Sequence, residues 1–268
     1  MQNIICFVSD FGLEDTWVGV CRAVIYRACP QARVVDLAHQ IPPFDIRKAA
    51  AVAASGVYQL PEAIHLVVVD PGVGGGRADL CVVTRSGTRL VGPDNGVLIP
   101  AARRAGGIAE VYAVDPANID FRPPLGTFHA RDVMAPAAAA LACGVSPESL
   151  GSVVDPDKLA AAPFQPCRSE GTHVLSEVVD VDRFGSVRLG VGEEEMTELG
   201  LVGNRFEISF GHLVFDVPFG HTFSDVEIGE TVAVLDSSGW LTLAVREASA
   251  AEKFGIEPGA PARIRPHG

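Results

Sequence analysis

Two hydrophobic periodicities alternate along the first half of the chain. Residues 4–8 form a short apolar run closed by the polar turn SDFG, and residues 16–29 carry helical spacing that stops at Pro30. Residues 33–36 read as a strand. A helix is expected from Asp45 to about Tyr58, with Asp45 as its cap behind Pro42 and Pro43. Residues 64–69 are almost all β-branched or leucine, the pattern of a strand buried on both faces. Further strands are predicted over 80–84 and 111–114, and a helix over 132–143 with Asp132 as its cap. Strands that alternate with helices in this way predict an α/β layered domain with a central sheet and helices on both faces.

From Asp155 onward the pattern breaks. The stretch DPDKLAAAPFQPCRSEG is dominated by proline, alanine and polar residues and reads as a linker. Beyond it, short strands recur over 174–181, 206–210, 231–235 and 241–245, separated by glycine and charged turns, with one short helix over 249–254. The expected organisation is an N-terminal α/β domain over 1–155, a linker over 156–171 and a smaller, mostly β domain over 172–268.

Composition narrows the function. The 268 residues include 21 basic and 33 acidic side chains, a formal net charge of −12, with no run of Lys or Arg. Such a surface repels a phosphate backbone and disfavours a nucleic-acid partner, while it suits a cationic small molecule. The longest apolar stretch, 133–145, is short and contains Pro136, so no membrane span is expected. The first residues carry no basic leader, which points to a cytoplasmic protein. The six cysteines form no CxxC pair and are expected to be reduced core residues.

The informative polar residues stand at strand ends. Asp10 ends the first strand and Asp70 the strand IHLVVV, and ligands of open α/β sheets collect outside such carboxyl ends. The following loop, DPGVGGGR, has neither the GxGxxG spacing of a dinucleotide site nor the GK[ST] of a phosphate loop. It reads instead as a tight turn that brings Arg77 to Asp70, where the guanidinium orients the carboxylate and keeps it ionised. His129 lies in GTFHARD, between a turn and a helix start rather than on an apolar face. The seven histidines show no HExxH or paired spacing, so no metal site is expected, and the absence of GxSxG weakens a serine-hydrolase reading.

These segments carry a resemblance. SDFG (9–12), IPPFDI (41–46), VVVDPGVGGGR (67–77), GPDNG (92–96) and TFHARDVMAPAAA (127–139), followed by VDRFGS (181–186), TFSDVEIGE (222–230) and SSGWLTLAV (237–245), resemble the S-adenosyl-L-methionine hydroxide adenosyltransferase family, in the family's order and over almost the whole chain. The family is similar to fluorinases and chlorinases. The resemblance implies hydrolysis of S-adenosyl-L-methionine (SAM) to adenosine and L-methionine without a cofactor. It also implies a β-barrel-like C-terminal domain and a homotrimer with sites between subunits. By the same resemblance, the family's water-handling Asp, Arg and His match Asp70, Arg77 and His129. The ribose-binding aspartate matches Asp10, the aromatic position beside sugar and sulfonium is Phe44, the TFH phenylalanine is Phe128, and the aspartate that holds the methionine ammonium matches Asp182. Where the family has FGN and then a TN pair, this chain has Ser186 and Leu189–Gly190, so a single hydroxyl replaces an amide beside adenine.

The chemistry implied needs little from the protein. A sulfonium leaves as a neutral thioether and requires no acid; it requires an oxygen held in line with the C5′–S bond, about 3 Å away. Arg77 and His129 can hold that oxygen, while Asp70 orients Arg77 and can take the proton. Two alternatives stand beside hydrolysis. A chlorinase-like halide transferase is disfavoured by the base-bearing Asp70, Arg77 and His129, and a non-catalytic SAM or adenosine binder is kept open by the change at Ser186.

Overall fold

The computed structural model describes residues 3–119, 126–201 and 203–267. It divides into two compact units, Met1–Pro163 and Phe164–Gly268, with the division falling inside the proline- and alanine-rich stretch.

In the first unit the strands are β1 (Ile4–Ser9), β2 (Arg33–Ala38), β3 (Ile64–Val68), β4 (Asp79–Thr84), β5 (Arg89–Pro93), β6 (Ile108–Val114) and β7 (Gly151–Val153). The helices are α1 (Trp17–Ala28), α2 (Ile46–Gln59), α3 (Ile99–Arg104) and α4 (Ala135–Ala142). The strands form one sheet in the order β2-β1-β3-β5-β4-β6-β7. The β2-β1-β3-β5 portion is parallel, whereas β4 runs antiparallel to both β5 and β6. Side chains alternate across β1 and β3. Ile5, Phe7, Leu66 and Val68 share a core with α1 and α4, while α2 packs with α3 against the opposite face. Buried His65 points to that second face, its Nε2 donating to the Leu60 carbonyl at 3.0 Å, and burial pulls its pKa below the ordinary imidazole value.

Local chemistry explains the helix starts. Asp45 caps α2 as expected, its Oδ1 accepting from the Lys48 amide at 2.8 Å. Asp132 does not cap. Residues Ala130–Met134 form a π-helical turn with His129 at its N-cap, and α4 follows. Pro136 has no amide hydrogen for the carbonyl of residue 132, and the wider π turn accommodates that loss. Asp132 is instead buried, with its carboxylate held by Arg131 Nε at 2.6 Å and Nη2 at 2.8 Å.

One cysteine expectation is corrected. Cys6, Cys21, Cys81 and Cys167 are free, and burial pushes their thiols up to about 11 for Cys6 and about 12 for the others. Cys29 and Cys143, however, are joined as a disulfide. They follow the C-termini of α1 and α4, and packing of these helices brings their Cα atoms to 5.7 Å across 114 residues of sequence.

The second unit holds β8 (Arg168–Glu170), β9 (His173–Val181), β10 (Val187–Gly192), α5 (Glu193–Glu198), β11 (Arg205–Phe210), β12 (Leu213–Gly220), β13 (Thr231–Leu235), β14 (Trp240–Val245), α6 (Ala250–Phe254) and β15 (Pro261–His267). The order β10-β14-β13-β12-β11-β15-β9 closes through the β9–β10 pairing into a seven-stranded barrel, with β8 added beside β9. Phe206, Ile208, Leu189, Leu241 and Leu243 fill its interior, each contributing roughly 1.5–3 kcal/mol by burial. Arg188 on β10 is held between Asp236 (Nε to Oδ2, 2.7 Å) and Asp180 (Nη1 to Oδ2, 3.1 Å). Burial opposes the charge on this guanidinium, but the two carboxylates outweigh burial and keep its pKa above the usual arginine value.

Candidate functional site

The chain leaves β1 toward β2 on one side and returns to β3 on the other. The carboxyl ends of β1 and β3 therefore flank the point where the strand order reverses, and a crevice opens at such a point. Ser9 is in register with Val68, so Asp10 and Asp70 emerge on neighbouring strands at one edge of the sheet.

The loop from Asp70 to Arg77 turns tightly. Gly74 has φ +75°, and a Cβ there would collide with the carbonyl oxygen of Gly126, so only glycine fits. The turn brings Arg77 back onto Asp70 in a two-point ion pair: Nε donates to Oδ1 at 3.0 Å and Nη2 to Oδ2. Arg77 Nη1 donates to a further carboxylate, Asp79 Oδ1. Asp79 Oδ2 lies 2.8 Å from His129 Nδ1, and Arg77 Nη2 lies 3.4 Å from that same nitrogen. The four side chains retain only 5% (Asp70), 6% (Asp79), 12% (Arg77) and 19% (His129) exposure. Burial works against the Arg77 charge, yet the hydrogen bonds and charges of Asp70 and Asp79 raise its pKa above the usual arginine value. The result is a permanently cationic guanidinium held rigidly beside an imidazole at the edge of the sheet.

Asp79 is the member that sequence reading missed, because it stands just before the strand predicted over 80–84. It is the first residue of β4, which is antiparallel to β5, with Asp79 opposite Pro93. The amino end of β4 thus lies at the same edge as the carboxyl ends of β1 and β3. The signal available in the sequence was a charged residue opening an otherwise apolar strand.

The other expected residues fall into two groups. Asp10 Oδ2 accepts from the Phe44 amide at 2.9 Å, tying the end of β1 to the turn before α2. Phe44 has φ +69° and is 69% exposed, an unusual state for a large apolar side chain. Phe128 packs edge-on to Phe11 with centroids 5.8 Å apart, and the Arg131 guanidinium sits 4.8 Å over its ring. Asp182 and Ser186 belong to the second unit. Asp182 Oδ1 accepts from the amides of Phe184 and Ser186, both at 2.9 Å, which closes the hairpin between β9 and β10. Gly185 has φ +82°, and a Cβ would strike Ser249. Ser186 is buried, and Phe184 beside it is 80% exposed.

Among the described residues no cluster of three His, Cys, Asp or Glu side chains is placed to hold a metal ion, and no helix is long and apolar enough to cross a membrane.

Residues 5–151 match the SAM hydroxide adenosyltransferase N-terminal domain, and residues 176–263 match the C-terminal domain of the same family. An (R)-S-adenosyl-L-methionine hydrolase of Salinispora tropica is 39% identical over 97% of each chain. One of Thermus thermophilus is 39% identical over 96% of this chain and 98% of its own. The solved structure of an uncharacterized conserved protein from Thermotoga maritima superposes with a TM-score of 0.87 at 32% identity, covering 97% of this chain and 99% of that one. A fluorinase of Nocardia brasiliensis is a more distant relative at 26% identity, over 98% of this chain and 97% of its own.

Proposed function

The chain belongs to the SAM hydroxide adenosyltransferase family, and from that premise we propose that it hydrolyses SAM to adenosine and L-methionine, with Asp70, Arg77 and His129 handling the attacking water. The observation that carries this reading is the guanidinium–imidazole pair fixed at the carboxyl edge of the sheet by two buried carboxylates.

The roles follow from the chemistry. Asp70 occupies Arg77 from one side, so the guanidinium has one orientation and loses no freedom when water binds. Arg77 and His129 hold a water in line with C5′–S. As its oxygen bonds to C5′, the C5′–S electron pair goes to sulfur, the methionine thioether departs neutral and the water loses a proton. No Lewis acid is needed for such a leaving group, so the reaction is read as independent of metal. Asp10 keeps Oδ1 for a ribose hydroxyl while Oδ2 holds Phe44. The exposed ring of Phe44, and Phe128, offer π faces to the sugar and the cationic sulfonium. Asp182 keeps Oδ2 for the methionine ammonium, a charge-assisted contact, and Ser186 offers its hydroxyl to adenine. The relatives' names specify the (R) sulfonium, and we take that epimer as the substrate.

The test is chromatography of products from each sulfonium epimer. Equimolar adenosine and methionine are expected from the (R) form, unchanged by EDTA. No product from either epimer refutes the hydrolase. Activity lost to EDTA and restored by a divalent ion refutes the metal-free reaction, and 5′-chloroadenosine formed in chloride selects a halide transferase.

The finer reading is an assembly, a trimer by resemblance, in which residues of the two units come from different subunits. It is supported by the exposure of Phe44 in one unit and Phe184 in the other, surfaces that a neighbour would cover. Co-expressed Asp70→Ala and Asp182→Ala chains are then expected to regain activity that neither has alone, because some interfaces unite two intact units. Verified mixed assemblies that stay inactive, or a fully active monomer in light scattering, would sink it.

A further inference from the structure

Asp79 is not accounted for by the reaction scheme above. It is nearly buried, it opens β4, and its two carboxylate oxygens point at two different functional groups, Oδ1 at Arg77 Nη1 and Oδ2 at His129 Nδ1. The second contact decides whether Nδ1 of the imidazole carries a proton. A carboxylate oxygen only accepts hydrogen bonds, and Arg77 Nη2 only donates. His129 Nδ1 cannot donate to one and accept from the other at once. Were Nδ1 the bare nitrogen, its lone pair would face the Asp79 lone pairs at 2.8 Å, a repulsive arrangement. With the proton on Nδ1 the same distance is a good charge-assisted hydrogen bond, and Arg77 Nη2 at 3.4 Å is a neighbour rather than a donor to the ring. The neutral ring then carries its lone pair on Nε2. None of the described residues hydrogen-bonds that nitrogen, and His129 keeps some exposure.

The competing base is less well placed. Both oxygens of Asp70 are engaged by Arg77. Protonating Asp70 would break a nearly buried two-point ion pair and leave the guanidinium only Asp79, which it shares with His129, among the described carboxylates.

We propose that Asp79 is a positioning residue that fixes His129 as the Nδ1–H tautomer, so that His129 Nε2, rather than Asp70, takes the proton from the attacking water. The inference rests on the hydrolase reading. The step balances: the water oxygen bonds to C5′, the C5′–S pair passes to the methionine sulfur, one water proton passes to Nε2, and the resulting imidazolium, held against the Asp79 carboxylate, later releases that proton to solvent. Asp70 and Arg77 keep the orienting role. The logic is that of an aspartate that selects the tautomer of a basic histidine, here assembled from a strand start and a π-helical turn.

Two measurements test it. In the first, nitrogen-15 NMR of histidine-labelled protein, with the His129 signal assigned by His129→Gln, is expected to show Nδ1–H and bare Nε2 at neutral pH. An Nε2–H tautomer or a doubly protonated ring overturns the proposal. This reading needs no turnover, so it stands apart from any failure of the hydrolase assignment. In the second, Asp79→Asn, which can present an amide N–H to Nδ1 and reverse the tautomer, is expected to lower kcat for SAM at least about tenfold, a fraction of the roughly 10²–10⁴ that a positioned base contributes. KM should change less than about threefold. In a His129→Gln background the same Asp79→Asn change should cost little more, because the two residues act as one unit. A wild-type kcat in Asp79→Asn, or an equal loss in both backgrounds, overturns the proposal. Should Asp79→Asn fail to fold, the NMR reading of the unmodified protein decides.

Discussion

Asp70→Ala is expected to lower turnover of SAM by about 10²-fold while leaving ligand binding within a few-fold of normal. Asp70 touches Arg77 through both oxygens, and among the described residues no other side chain hydrogen-bonds Arg77 Nε. With the carboxylate gone, Arg77 retains Asp79 on Nη1 but can swing about that contact. A displacement of about 1 Å in a group that holds the nucleophile is enough for a 10²-fold loss. Binding should survive, because the residues assigned to ribose, sulfonium and ammonium are Asp10, Phe44 and Asp182, none of which hydrogen-bonds Asp70. Calorimetry with SAM and single-turnover kinetics separate the two effects. Near-normal turnover would remove Asp70 from the reaction. A chain that fails to fold, seen by circular dichroism, would make its role that of holding the loop.

Arg188→Ala is expected to destabilise the C-terminal unit by about 3–5 kcal/mol. The side chain bridges Asp180 on β9 and Asp236 after β13, whose side chains are 2% and 8% exposed. Removing the guanidinium leaves two nearly buried carboxylates without the cation they share. Asp236 Oδ1 still accepts from the Ser238 and Trp240 amides, so it is the negative charge that is left uncompensated. Denaturant titration followed by a probe in the barrel, such as the fluorescence of Trp240, measures this. A shift below about 1 kcal/mol would mean that the pair of ion contacts contributes no more than an exposed one. Asp182, proposed above to hold the methionine ammonium, follows directly on β9, two residues beyond Asp180, so SAM binding is expected to weaken as well.

The elements with strong periodicity were legible in the sequence. β1, α1, α2 and β3 are long, uniform runs bounded by Pro30, the Asp45 cap and the SDFG turn, and the structure places them where the pattern does. Six strands escaped notice, β5, β7, β8, β10, β12 and β15, and three of them carry mixed signals. β5 ends in Gly92 and Pro93, β12 contains Pro218 and Gly220, and β15 opens on Pro261 and carries Pro266, so each reads locally as a turn. Their ladder partners, not their own propensities, make them strands. Closure of the barrel is of the same kind: β9 and β10 are consecutive, but the ring closes only because β15 and β14 occupy their other edges.

The candidate site divides along the same line. By itself the sequence determined which chemical groups were available: Asp70 and Arg77 are seven residues apart across a glycine-rich loop that can only double back, and His129 stands at a break before a helix. Local geometry was enough to pair the first two. Tertiary structure alone decided what lies beside them. Asp79 joins the cluster because β4 is antiparallel to its neighbours, and Cys29 meets Cys143 because α1 and α4 share one face of the sheet. The physical reason is the range of the information. Hydrophobic period and turn chemistry are set by neighbours a few residues away. The direction of a strand, the face a helix covers and the nitrogen of His129 that carries the proton are set by contacts between residues distant in sequence, His129 and Asp79 being 50 apart.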